Sequence, residues 1–153
     1  FLFEASVGGG IPLIRPLTGA LAGERIVEIS GILNGTTNYI LTKMAKEGQT
    51  FEEALRKAQE LGYAERNPES DVEGYDTCRK ISILTALATG REVNYEDVYT
   101  EGITAVTDTD FRYAAALGTC VKLFGSSRME DGSVTSIVLA EDLRQSILRP
   151  IPR

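Results

Sequence analysis

Asp76 and Lys80 stand four residues apart in a stretch with helical apolar spacing. On a helix that spacing places both side chains on one face. Ile83, Leu84 and Leu87 carry the same face onward, so a charged pair heads what reads as a buried stripe. Burying charge is costly unless it is paired. A lysine held against a carboxylate in such a place is a candidate general acid with a tuned pKa. The plain alternative is a surface pair contributing about 0.3 kcal/mol. Glu65 and Asp71 come just before the pair. Together with Asp76 they form an acidic group at a loop-to-helix junction, suited to a substrate ammonium. Equally, Asp71 can serve the helix dipole while Glu65 is solvated. Gly35, Thr36 and Thr37 offer amides and hydroxyls at another helix start. Such a start binds a carboxylate, or its hydroxyls simply cap the helix.

Composition narrows the chemistry. The chain has 153 residues, 42% of them apolar and 25% charged, which fits one globular domain. It contains no histidine. Ser-His-Asp and Cys-His catalysis and His-ligated metals are therefore excluded, and any acid or base must be Lys, Asp, Glu, Tyr or Cys. Cys78 and Cys120 are the only cysteines, too few and too far apart for a zinc site. Cys78 reads as a small packing residue. A disulfide is unsupported, and a reducing cytoplasm is expected. The formal net charge of -6 and the absence of a basic stripe argue against a nucleic-acid partner. No apolar run reaches the roughly 18 residues of a membrane span. The Gly8-Gly9-Gly10 turn fails as a dinucleotide fingerprint, because Leu13 stands where the third glycine of GxGxxG belongs. The start, Phe1-Leu2-Phe3-Glu4, reads as a chain entered mid-strand, and residues 149–153 read as a loop. Both ends are expected to be cut points.

The elements that must position these residues follow from local signals. Pro12 suits a first helical position, giving a short helix to about Leu21. Arg25 to Leu33 is β-rich. The turn at residues 34–38 opens a helix to about Glu47-Gly48. Thr50 and Glu53 form a capping box for the next helix, whose face carries Phe51, Ala54, Leu55, Ala58 and Leu61, with Gly62 as its stop. A polar loop covers residues 63–70. Ser70 and Glu73 predict a second capping box, opening one helix from Asp71 to about Thr89, closed by Gly90. A short strand near Val98, a helix near Asp108–Leu117 and strands at Cys120–Ser126 and Ser133–Leu139 follow. Asp131-Gly132 is the expected hairpin turn between those strands. Without strict βαβ alternation the class is α+β, a mixed sheet covered by helices.

Residues 58–80, with Gly62-Tyr63-Ala64-Glu65, Asn67-Pro68, Asp71-Val72, Gly74, Asp76 and Lys80, resemble the homoserine dehydrogenase signature. Residues 4–12 resemble that family's segment at the start of the catalytic region. Residues 31–40 resemble its substrate-binding turn. The resemblance covers the first 80 residues well and the remainder only loosely. It implies reversible hydride transfer between aspartate 4-semialdehyde and homoserine with NADP or NAD. Lys80 would match the proton-donating lysine and Asp76 the carboxylate beside it. Glu65 would bind the substrate amino group, with Asp71 and Tyr63 nearby, and Gly35 and Thr36 would line the pocket. The carbonyls of Val7, Gly9 and Ile11, with Glu4, would match a monovalent cation site for Na+ or K+. The resemblance also implies a homodimer, with the late strands as candidates for its interface. The family's dinucleotide fingerprint, and a second lysine near the cofactor, would lie upstream. Residues 1–153 are thus expected to be a substrate-binding, catalytic and dimerisation domain. Two readings compete. Aspartate-semialdehyde dehydrogenase shares a substrate but needs a histidine beside its cysteine. A non-catalytic amino-acid-binding or regulatory module would have no need of the Asp76/Lys80 pair.

Overall fold

Turn chemistry delimits most of the helices. The structure is a computed structural model and describes residues 1–130 and 133–144. Helix α1 spans Ile14–Thr18, strand β1 Glu28–Gly31, helix α2 Gly35–Glu47 and helix α3 Phe51–Glu60. Asn34 caps α2 by accepting from the Thr37 amide at 2.8 Å. Gly48 ends it in the left-handed region, at φ 63°, a conformation glycine adopts without a Cβ penalty. Thr50 and Glu53 form the expected reciprocal capping box on α3.

Helices α4 (Glu69–Val72) and α5 (Tyr75–Thr89), strand β2 (Tyr99–Thr100), helix α6 (Asp108–Leu117) and strands β3 (Thr119–Glu130) and β4 (Ser133–Arg144) complete the chain order. The four strands make one sheet in the order β1-β3-β4-β2. Strand β2 runs parallel to β4, and the other pairs are antiparallel. The mixed sheet with its helices is the expected α+β class. The β3–β4 ladder runs from Thr119 opposite Arg144 to Glu130 opposite Ser133. The expected Asp131-Gly132 turn and the loop at 149–153 lie outside the described residues.

The sheet has one face toward the helices. A Cβ on Gly125 would meet Thr77 and Ile81 of α5. On the same side Val121, Leu123 and Val138 are buried with Ile40 and Leu41 of α2, Ile81 of α5 and Phe111 of α6. Each such side chain stabilises the fold by about 1.5–3 kcal/mol. The alternate residues Cys120, Lys122, Phe124, Ile137 and Leu139 lie on the opposite face and are half-buried. Lys122 reaches across to α2, donating to Asn38 Oδ1 at 2.6 Å and Thr42 Oγ1 at 2.9 Å. Burial holds its ammonium below the usual lysine range.

Several sequence expectations change. The first helix starts at Ile14, not Pro12, because the Glu4 carboxylate accepts from the Leu13, Ile14 and Arg15 amides. It ends at Thr18, where the Gly19 amide turns back to the Arg15 carbonyl. Strand β1 is shorter than Arg25–Leu33. Its register with β3 ends at Gly31, and the Leu33 carbonyl goes to Lys80 instead. The single helix expected from Asp71 to Thr89 is two helices, broken at Gly74 with φ 82°. No capping box forms there. Ser70 Oγ instead accepts from Arg79 at 3.1 Å. The break is imposed from outside. The chain after β2 passes against the kink, with the Ile103 amide on the Val72 carbonyl at 2.8 Å. On α5 the deepest positions are Thr77, Ile81, Leu84 and Thr85, while Ile83 and Leu87 are half-buried against a smaller cluster with Val7 and Ile14.

Gly102 is where this passage is tightest. A Cβ there would overlap the Val72 carbonyl oxygen and lie 2.5 Å from Glu73 Cα. Gly102→Ala is expected to destabilise the fold by about 2 kcal/mol or more in urea unfolding, as overpacking does. Gly23→Ala, where an added Cβ meets nothing within 4 Å, should stay within about 0.5 kcal/mol of the parent. Equal effects would show that the kink is not held by this contact.

Candidate active site

The break at Gly74 sets the first turn of α5 against the start of α2. Between them lies a cleft of about 640 Å³, lined by Asn34, Gly35, Thr36, Tyr39, Gly62, Tyr63, Asp71, Asp76 and Lys80. The head of α5 supplies the charged pair. Lys80 Nζ donates to Asp76 Oδ2 at 2.6 Å and to the Leu33 carbonyl at 3.1 Å. Their side chains are 23% and 29% exposed, so the pair sits in the cleft wall and is not freely solvated. An ammonium carries three donors. Two are committed here, leaving one for a ligand.

Asn34 joins the two carboxylates. Its Nδ2 donates to Asp71 Oδ1 at 2.7 Å and to Asp76 Oδ2 at 2.8 Å. Its Oδ1 accepts from the Thr37 amide and hydroxyl. The residue is 5% exposed. One side chain thus ties α2, α4 and α5 together at the cleft floor.

The opposite wall comes from the end of α3. Gly62, at φ 77°, turns the chain so that the Tyr63 amide returns to the Ala58 carbonyl at 2.8 Å. The Tyr63 carbonyl then accepts from Thr36 Oγ1 at 2.7 Å. The rings of Tyr39 and Tyr63 meet edge to face, with centroids 5.1 Å apart. Offset and edge contacts of this kind suit the ring quadrupoles.

The arrangement suits a small zwitterion. Two carboxylates and one ammonium leave a net negative charge, which favours a ligand ammonium. The start of α2 presents positive helix-dipole charge beside Gly35 and Thr36, which favours a carboxylate. The remaining Lys80 donor is available to a polar oxygen of the same ligand.

Of the residues singled out in the sequence, Lys80, Asp76, Asp71, Tyr63, Gly35 and Thr36 come together around this cleft. Glu65 does not line it. Its side chain is exposed, and its carbonyl accepts from Gln59 at 3.0 Å. Glu4, Val7, Gly9 and Ile11 lie at the other turn, where the Glu4 carboxylate holds three amides. Val7 is buried, while Gly9 and Ile11 are exposed. No cluster of three Cys, Asp or Glu able to hold a metal exists among the described residues. Asn34, Tyr39 and Gly62 line the cleft too; they lie in the segments that carry the resemblance but were not singled out as site residues. Asn34 was legible as a cap, but its carboxylate partners lie 37 and 42 residues further on.

Comparison with known proteins identifies the family. Residues 12–146 match the homoserine dehydrogenase family. The homoserine dehydrogenase of Bacillus subtilis is 50% identical over 131 residues, covering 86% of this chain and 30% of that protein. The homoserine dehydrogenase of Synechocystis sp. is 55% identical over 122 residues, covering 80% of this chain and 28% of that protein. A solved homoserine dehydrogenase from Thiobacillus denitrificans superposes with a TM-score of 0.87 at 44% identity, covering 92% of this chain and 32% of that one. One from S. aureus gives 0.77 at 43% identity, covering 80% and 32%. The chain therefore spans about a third of the length of the relatives it matches. With its matched residues reaching past the cleft into β4, this chain belongs to the homoserine dehydrogenase family.

Proposed function

We propose that the cleft is the substrate site of a homoserine dehydrogenase, which interconverts L-aspartate 4-semialdehyde and L-homoserine. The observation that carries this reading is Lys80, held by Asp76 and the Leu33 carbonyl with one donor left for the ligand. A hydride reaching the aldehyde carbon leaves negative charge on its oxygen. A positioned ammonium stabilises that charge and supplies the proton. Asp76 aims the ammonium. Asp71 receives the amino group of the substrate, with Tyr63 beside it in the cleft wall; Glu65, expected for that role, stands exposed outside the lining. Gly35 and Thr36 receive the substrate carboxylate. An amino-acid-binding module without catalysis would have no use for a lysine set in this way.

The hydride is exchanged with a nicotinamide cofactor, NADP or NAD. The described residues do not fit its pyrophosphate. The amides at the start of α1, just after the glycine turn, are already covered by the Glu4 carboxylate, which repels phosphate. We therefore assign the dinucleotide to a separate part of the enzyme and residues 1–153 to its substrate-binding, catalytic and dimerisation domain. We infer that a monovalent cation, Na+ or K+, is held by the Val7, Gly9 and Ile11 carbonyls with Glu4. Those carbonyls accept no hydrogen bond among the described residues, so their lone pairs are available. The reading places the enzyme in the biosynthesis of threonine, methionine and isoleucine. Its two cysteines are free thiols, as in a reducing cytoplasm. No helix among the described residues is long and apolar enough to cross a membrane.

In the full-length enzyme Lys80→Ala is expected to lower turnover by about 100-fold or more, as the loss of a general acid does. Homoserine affinity should fall much less. Near-normal turnover would return Asp76 and Lys80 to the role of a structural ion pair.

Association is the second consequence. Phe124 stands opposite Leu139, and Ile137 opposite Ser126, on the sheet face away from the helices. A second copy covering that apolar stripe gives a homodimer. Light scattering at micromolar concentration should report twice the chain mass, and substituting Phe124 and Leu139 by Ser should halve it. A monomer throughout that range would contradict the assignment.

A further inference from the structure

Two carboxylates share one donor group at the floor of the cleft, and that donor belongs to neither catalysis nor substrate binding as assigned above. Asp71 Oδ1 and Asp76 Oδ2 lie 2.7 and 2.8 Å from the same nitrogen of Asn34. Like charges this close repel each other, and hydrogen bonds from a shared donor offset that repulsion. The amide is neutral and carries two hydrogens in fixed geometry, so it can bridge the pair without adding charge. Its oxygen is fixed in turn by the Thr37 amide at the start of α2. The residue is 5% exposed, so water cannot easily replace it.

We propose that Asn34 is a positioning residue of the reaction: its carboxamide fixes the spacing of Asp71 and Asp76, and through Asp76 it sets where Lys80 presents its proton. The inference rests on the functional reading above. Asp76 Oδ2 accepts both from Asn34 and from Lys80 Nζ, at 2.8 and 2.6 Å. Any shift of that oxygen moves the ammonium. Leu33, the residue before Asn34, holds the same ammonium through its carbonyl. Two successive residues therefore grip Lys80, one directly and one through Asp76. The titratable groups around the amide are Asp71 on α4, Asp76 and Lys80 on α5, and the phenols of Tyr39 on α2 and Tyr63 after α3.

Asn34→Asp and Asn34→Ser test this in the full-length enzyme. Both keep an oxygen able to cap α2, and both lose the bridging amide. Each should remain folded, with kcat for homoserine oxidation down by about 100-fold, the loss that a misplacement near 1 Å can cause. The KM for the nicotinamide cofactor should be unchanged. In Asn34→Asp a third carboxyl must share protons with the two present. The acid limb of its kcat profile should therefore move to higher pH, whereas in Asn34→Ser it should not. Folded variants with parental kcat and an unmoved profile would overturn the proposal. Lys80→Ala, assayed beside them, separates the two levels. If that variant keeps its turnover, the functional reading fails and the positioning role fails with it. If it is inactive while both Asn34 variants are parental, the positioning role alone fails.

Discussion

The carboxamide of Asn34 is the constraint on which the site depends. It spends both donors on carboxylates from two helices and its oxygen on the start of a third. Leaving one such buried partner unmet costs about 1–3 kcal/mol. The three elements therefore keep one relative placement, and the cleft between them keeps one shape. Charge is handled in the same step. Asp71 and Asp76 sit close together because a neutral group bonds both, and Lys80 completes the set from one turn further along α5.

The rest of the fold serves this junction. Strand β1 stops pairing at Gly31, which frees the Leu33 carbonyl for Lys80 and leaves Asn34 at the mouth of α2. Gly74 breaks what would otherwise be one long helix, so Asp71 and Asp76 approach from different helices. The break is held by the chain after β2, which passes within contact of Val72 and Glu73 because Gly102 has no side chain. A strand end, a helix break and one close backbone crossing thus converge on two carboxylates and a lysine.

What could be read from the sequence divides along sequence distance. The caps at Thr50, Gly48 and Gly90 depend on residues three or four away, and each sits where the spacing placed it. The Asp76/Lys80 pair was legible for the same reason. The break at Gly74 was not, because it is imposed by residues 101–103. The false capping box at Ser70 followed from treating that glycine as an ordinary helical position. Asn34 gave only the signal of a cap, since its two carboxylates lie far along the chain. At Glu4 the residues alone assigned nothing, and resemblance suggested a cation ligand. The structure adds a second role that neither gave, since the carboxylate also caps α1 through three amides. The apolar pattern of β3 was read too short, because the inner-face position after Gly125 is a buried polar residue, Ser127, which interrupts the alternation.

The most direct test is a crystal structure of the full-length enzyme with L-homoserine and the oxidised cofactor. Homoserine should lie in the cleft, its hydroxyl within hydrogen-bond distance of Lys80 Nζ and its ammonium on Asp71. The Asn34 carboxamide should still bridge Asp71 and Asp76 beneath it. Homoserine bound elsewhere, or bound with its hydroxyl away from Lys80, would contradict the assignment of this cleft as the catalytic site.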